Sequence, residues 1–344
     1  MSTETPTLTK KDFQSDQEVR WCPGCGDYAI LSAVQSLLPD LGIPREKFVC
    51  ISGIGCSSRF PYYLNTYGFH SIHGRAPAFA TGLKMSRPDL HVWVVTGDGD
   101  GMSIGGNHLI HILRRNVGVK VLMFNNRIYG LTKGQYSPTS EVGKRTKSSP
   151  MGSVDYPFNP LSLAIGAGAS FVARSVDIFQ AHLKDTLRRA SEHDGTAFVE
   201  ILQNCNIFND GTWDSVTSKE GRVENGLYLE HGKPCVFGKD QQKGIQLRGM
   251  DLEVVELGSS TGPEDCLVWD EDRPNPALAF VMAQLDPPDF PTPLGVFRQV
   301  MKPSYESAVV RQIQHEEERL GTGTLEGLIG EGDTWTVDEH GQIV

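Results

Sequence analysis

The sequence predicts an α/β fold with a mostly parallel sheet and helices on both faces, and three observations carry that prediction. Short apolar runs rich in β-branched residues alternate with segments of helical period between Val92 and Leu202. Strands buried on both faces read as such continuous runs, and their alternation with helices is the pattern of βαβ units. The runs also end in turns of a kind suited to ligands: Gly97-Asp98-Gly99-Asp100-Gly101 after one, Asn125-Asn126 after the next. Finally, 344 residues, 39% of them hydrophobic, suffice for one large core with appendages.

Residues 1–20 are polar, lack the apolar core of a signal peptide, and read as an arm over the surface. A helix is expected over Asp27–Leu38, ended by Pro39 and Gly42. Phe48–Ser52 reads as a strand and Gly53–Arg59 as the turn after it; a loop then leads to a helix around Ala76–Lys84. Val92–Thr96 is the next strand. After its glycine turn a helix starts near Ser103, with Leu109, Ile112 and Leu113 on one face and Arg114 and Arg115 in the last turn. Strand Val119–Phe124 completes a strand–helix–strand unit.

Beyond Gly134 the chain is polar, proline-rich and without period through Tyr156, a long loop of the kind that serves as a lid or interface. The α/β pattern resumes with helix Pro160–Gly168, strand Phe171–Ser175, helix Ile178–Ser191 and strand Ala197–Leu202. Residues 206–344 mix polar turns with short apolar runs (Leu252–Leu257, Leu267–Trp269), a proline cluster at Pro287–Pro293, an amphipathic helix in VVRQIQHEEERLGTG and an acidic tail.

The formal net charge of −10 argues against a nucleic-acid partner, which needs a basic face. No apolar run approaches the ~18–20 residues that cross a bilayer. A soluble, cytoplasmic protein with no membrane partner is expected.

Two constellations carry chemistry. In open α/β sheets ligands bind beyond the carboxyl ends of the strands, where Asp98 and Asn126 are expected on neighbouring strands. Glycines let the backbone approach a phosphate, yet a carboxylate facing a diphosphate is repulsive unless a cation lies between them. Asp98, the Asn126 amide oxygen and a backbone carbonyl, that of Ile128, make a good Mg²⁺ site with phosphate oxygens and water. The second constellation is Cys22-Pro23-Gly24-Cys25 with Cys56 and Cys205, the latter two after strands. Four thiolates meeting at one pole of the sheet suit zinc or an iron–sulfur cluster, and the C-x-x-C alone also suits a thiol–disulfide pair. Cys50, Cys235 and Cys266 read as buried free thiols.

GDG…NN resembles the diphosphate signature of thiamine-diphosphate enzymes, and NNRIYGLTKGQ is similar to the β subunits of 2-oxoacid:ferredoxin oxidoreductases. The resemblance runs from Trp21 to about Phe208, with a weaker echo in PLGVFRQV near Leu294–Val300. It implies a thiamine-diphosphate-binding fold over residues 21–210, between the arm of residues 1–20 and an extension, 211–344, that clasps a partner or covers a cluster. It further implies thiamine diphosphate with Mg²⁺, contacted by Ile54, Gly55, Cys56, Ser57, His73, Gly97, Asp98, Gly99, Asp100, Asn126, Gly130 and Leu131. Cys22, Cys25, Cys56 and Cys205 are then the ligands of one 4Fe–4S cluster.

The implied activity is oxidative decarboxylation of a 2-oxo acid with coenzyme A, or the reverse carboxylation, with electrons exchanged with ferredoxin through the cluster. Arg59, His73 and Lys133 are the catalytic candidates. Two cations near one pocket, Arg59 and Lys133, fit a dicarboxylate, so 2-oxoglutarate, giving succinyl-CoA and CO₂, is preferred over pyruvate or a broad range. A non-redox thiamine-diphosphate decarboxylase or carboligase with structural zinc is the alternative. No glutamate is placed to activate the thiamine ring; in the resembled family an α subunit supplies it, implying an α₂β₂-type assembly. An acidic ferredoxin would need a local basic patch, for which Arg127, Lys133, Lys144, Arg145 and Lys147 are candidates.

Overall fold

All five runs expected as strands pair in one sheet. The computed structural model describes residues 8–344. Its strands are β1 (Phe48–Ser52), β2 (Tyr67–His70), β3 (His91–Gly97), β4 (Val119–Asn125), β5 (Phe171–Val176), β6 (Ala197–Leu202), β7 (Gly226–Leu229), β8 (Val236–Phe237), β9 (Lys243–Arg248), β10 (Asp251–Glu256) and β11 (Thr292–Gln299). Eight form the main sheet, in the order β2-β1-β3-β4-β6-β5-β11-β7. Every pairing in it is parallel except that of β11 with β5. Strands β8, β9 and β10 make a separate antiparallel sheet.

Alternate residues of each central strand go to opposite faces, and each face has its own core. Val92, Val94, Val119, Val121 and Met123 pack with Ala76, Ala80, Leu109, Ile112 and Leu113 of helices Ala76–Ser86 and Gly106–Arg115. Trp93, Val95, Leu122 and Phe124 turn the other way, with Ile30 and Val34 of helix Asp27–Leu37 and Leu183 and Leu187 of helix Gln180–Glu192. Each such side chain, once fully buried, contributes ~1.5–3 kcal/mol. The parallel strands thereby aim their carboxyl ends, and the turns after β1, β3, β4 and β6, at one edge of the molecule.

Three expectations need correction. The glycine segment after β3 is not a turn ahead of a helix near Ser103: it is itself helical, Asp98–Met102, and Ser103 breaks it (φ −91°, ψ −110°) before helix Gly106–Arg115. Asp98 and Asp100 in that first turn complement the helix dipole. The stretch before helix Ala76–Ser86 contains edge strand β2, whose residues are all exposed and so give no apolar run. The N-terminal arm is pinned from Leu8 onward, with Phe13 fully buried against Phe48; the part expected at residues 1–7 lies outside the described residues.

After Cys205, β7 and β11 widen the main sheet, and the small sheet lends Phe237, Ile245 and Leu252 to its core. Helix Tyr305–Leu320 is anchored at its start, where Tyr305 donates to the Asn116 carbonyl and Glu306 accepts from the Gly118 N–H at 3.1 Å. Those contacts precede β4, at the end of the sheet opposite Asn126. Among the described residues no helix is long and apolar enough to cross a membrane.

Candidate functional site

A cavity of about 480 Å³ opens over the carboxyl ends of β1, β3 and β4. Every residue expected to contact the cofactor lines it, from Ile54, Gly55, Cys56 and Ser57 through His73, Gly97, Asp98, Gly99 and Asp100 to Asn126, Gly130 and Leu131; Ile128 lines it too. Strands β3 and β4 are paired with Gly97 opposite Phe124, which sets Asp98 and Asn126 side by side one residue or two beyond.

The two aspartates divide the work. Asp98 Oδ2 accepts from Ser137 Oγ at 2.5 Å and Thr139 Oγ1 at 2.6 Å, which leaves Oδ1 without a protein partner among the described residues. Burial raises the Asp98 carboxyl above its ordinary pKa, against the pull of those hydroxyls. A nearby cation would relieve that cost. Asn126 Nδ2 donates to Gln203 and its Oδ1 accepts from the Ile128 N–H at 3.1 Å, so the amide oxygen is turned by its own loop and keeps a lone pair. These hard oxygen donors suit Mg²⁺.

Asp100 lines the same cavity but has no oxygen to spare. Oδ1 accepts from the Gly74 N–H (2.7 Å) and the Ile54 N–H (3.1 Å) and meets His73 Nδ1 at 2.5 Å; Oδ2 accepts from Thr96. It is a clamp that ties the β1 turn, the His73 turn and the β3 end together. Gly99 is required by close approach: a Cβ there would stand 2.3 Å from the Tyr129 ring, whose hydroxyl donates to the Gly99 carbonyl.

The four cysteines converge beside this cavity. The Cys25 N–H closes on the Cys22 carbonyl through Gly24 (φ +83°), the turn is held by Asn206 Nδ2 on the Pro23 carbonyl, and Gly26 N–H donates to Asn204 after β6. Trp21 Nε1 donates to the Cys56 carbonyl at 2.7 Å, fixing the β1 turn to the same knot. A Cβ built on Gly130 would stand 3.6 Å from both the Cys56 and Cys205 sulfurs. Burial pushes the Cys56 thiol up to about 12, with Asp27, Cys205 and Cys22 adding to it; Cys25 is raised by burial and by Asp27, Cys205 and Cys56. Thiols so placed are poor thiolates on their own and become good ones when a cationic centre joins them. Among the described residues no three His, Cys, Asp or Glu groups close tightly enough to hold a single metal ion. Cys50, Cys235 and Cys266 are buried elsewhere.

Arg59 lies in a second, more polar cavity of about 440 Å³ that shares Ile54, Gly55 and Leu131 with the first. Lys133 lines neither. It sits exposed on a left-handed turn (φ +74°), because the chain after Gly130 turns outward, so the two expected cations do not share a pocket.

Residues 53–201 match the family model for the thiamine pyrophosphate enzyme, C-terminal TPP binding domain. The chain is 55% identical over 350 residues to 2-oxoglutarate oxidoreductase subunit KorB of Mycobacterium tuberculosis, covering 97% of this chain and 93% of that one. It is 43% identical over 264 residues to 2-oxoacid:ferredoxin oxidoreductase 2, subunit beta, of Aeropyrum pernix, covering 76% and 84%. This chain belongs to the 2-oxoacid:ferredoxin oxidoreductase β-subunit family. Its fold is also similar to a solved 2-oxoglutarate:ferredoxin oxidoreductase from Magnetococcus marinus with 2-oxoglutarate, coenzyme A and succinyl-CoA bound, at TM-score 0.73 and 32% identity over 95% of this chain and 96% of that one.

Several residues of this β subunit's site carry no sequence signal of their own. Ser137 and Thr139 come from the aperiodic loop, and Gln203 from a polar turn; only folding brings them to Asp98 and Asn126. Asp27 was legible merely as a helix residue, yet burial and then the neighbouring Asp177 charge push its carboxyl up to about 7, against the pull of a hydrogen bond with Cys25.

Proposed function

We propose that this β subunit holds thiamine diphosphate through Mg²⁺ and one 4Fe–4S cluster, and takes part in the oxidative decarboxylation of 2-oxoglutarate with coenzyme A, or its reverse. The observation that carries the reading is the sharing of Cys56 and Gly130 between the cofactor cavity and the cysteine quartet. When bound, thiamine diphosphate supplies the carbanion chemistry that releases CO₂ from a 2-oxo acid, and an iron–sulfur cluster supplies one-electron acceptance.

The chain's residues do the orienting. Gly97 would admit the diphosphate, Gly99 makes room for Tyr129, Asp98, Asn126 and the Ile128 carbonyl would hold Mg²⁺, and Asp100 braces His73 at the cavity wall. Cys22, Cys25, Cys56 and Cys205 would hold the cluster. Among the described residues the cavity's acids are Asp98, which receives Ser137 and Thr139 and is assigned to Mg²⁺, and Asp100, used on both oxygens, which supports an α subunit as the source of the carboxylic acid that thiamine needs. Arg59 has no acid partner among the described residues, and as a planar, permanently charged fork it suits a substrate carboxylate. For ferredoxin, Arg127 is stacked 3.9 Å above Trp213 and Lys144 is paired with Glu141, so the docking candidates narrow to Lys133, Arg145 and Lys147.

Metal content tests the reading. Anaerobically purified protein co-expressed with its α subunit is expected to hold about four irons and four labile sulfides per chain. Its reduced-cluster EPR signal should appear with dithionite and also with 2-oxoglutarate plus coenzyme A. One zinc without iron would overturn the cluster, and a signal raised by pyruvate alone would overturn the substrate.

A further inference from the structure

Beside the cofactor cavity one buried hydroxyl is left with a proton and no protein acceptor. Tyr63 is 2% exposed, and its Oη accepts two hydrogen bonds, from Arg59 Nε at 2.9 Å and from the Arg20 N–H at 3.0 Å. A phenol has one proton and two acceptor positions, so both lone pairs are used and the O–H must find its partner elsewhere. Among the described residues none takes it. Tyr63 lines the 440 Å³ cavity together with Arg20, Arg59 and His70, and that cavity shares Ile54, Gly55 and Leu131 as lining residues with the cofactor cavity.

We propose that Tyr63 determines specificity, its hydroxyl donating to the remote carboxylate of a dicarboxylic 2-oxo acid. The inference rests on the substrate reading above. The same phenol that would donate also holds Arg59 by Nε, which leaves the two terminal guanidinium nitrogens to the cavity. Trp21 packs edge-on to the Tyr63 ring at 4.8 Å and is itself fixed on the Cys56 carbonyl, so the donor is oriented before any ligand arrives. Glu18, the acid of that cavity, is paired with Arg20 at 3.0 Å and does not reach Arg59. A carboxylate in the cavity therefore meets a guanidinium and a phenolic O–H, both preset. A monocarboxylic 2-oxo acid offers that proton nothing and shuts it away from water, which is how a site built to hydrogen-bond one group rejects its analogue.

The test uses the thiamine-diphosphate-loaded αβ complex, with glutarate, which cannot react, as the calorimetric probe. Tyr63→Phe is expected to weaken glutarate about tenfold and to raise KM for 2-oxoglutarate alike, with kcat and the KM for 2-oxobutyrate within about twofold of the parent. Unchanged glutarate affinity in Tyr63→Phe, with a large loss in Arg59→Ala, would overturn the role of Tyr63 and leave the substrate reading standing. No loss in either variant would overturn both. Should Tyr63→Phe not fold, Arg59→Ala with Tyr63 intact must still prefer glutarate to butyrate; equal affinities would overturn the proposal.

Discussion

Asp98 and Asp100 stand two residues apart, and the fold treats them differently: the two hydroxyls that reach Asp98 both go to Oδ2, while both oxygens of Asp100 accept hydrogen bonds from the protein. Gly99 between them is where the tolerance is smallest. Its missing side chain is occupied by the Tyr129 ring, so Gly99→Ala must displace either the ring or the short helix. Overpacking of this kind costs ~1–3 kcal/mol, and here it also moves Asp98. The variant is expected to melt earlier and to lose most of its thiamine-diphosphate affinity, measurable by scanning and titration calorimetry; an unchanged affinity would show that the ring yields without disturbing the site. At this scale placement was legible in the sequence where a residue follows a strand end directly, as for Asp98, Asn126 and Cys205. The sequence was silent on Ser137, Thr139 and Tyr63, whose contacts depend on which distant loop folds against them.

Between elements, β5 and β6 are joined by a buried ion pair: Arg174 Nε meets Glu200 at 2.6 Å, the two residues being direct partners in the ladder. Glu200 also receives Asn125 Nδ2 at 2.7 Å, so the end of β4 leans on the same carboxylate. Removing one member of such a pair leaves an uncompensated buried charge, at ~3–5 kcal/mol. Arg174→Met is expected to lose about that much in urea denaturation, and adding Glu200→Gln should recover part of it. A loss below ~1 kcal/mol in the single variant would mean water reaches Glu200. Strand legibility followed burial. Phe48–Ser52 and Ala197–Leu202, buried on both faces, read as strands with their true bounds. Strand β2 is exposed throughout and carries no apolar run; β10, largely exposed, shows only as the short run Leu252–Leu257, which does not read as a strand.

Over the whole molecule, two buried histidines tie stability to acidity. Burial, then the Lys120 charge, pulls His91 down to about 3 and His193 down to about 4; His193 Nε2 sits 2.8 Å from Ser170 Oγ. Both are neutral when folded, whereas the unfolded chain protonates them near 6.5. A folded pKa below the unfolded one means stability is intact above about 6.5 and is lost as pH falls from there toward 4 and 3, by up to ~1.4 kcal/mol per pH unit per histidine. Asp27, raised to about 7, opposes them, because its folded form takes up a proton earlier. The expected result is that His193→Gln flattens the fall in melting temperature between pH 6.5 and 4.5 relative to the parent; parallel curves for the two proteins would remove His193 from the account.

Gly130 has one more consequence. Its backbone is not left-handed, and a methyl group there would meet the Cys56 and Cys205 sulfurs at 3.6 Å, an ordinary contact. The chain by itself has no need of glycine at this point. Under the proposed reading, the position would keep the partition between the two compartments one peptide thick, with no hydrocarbon to act as insulation where charge would cross.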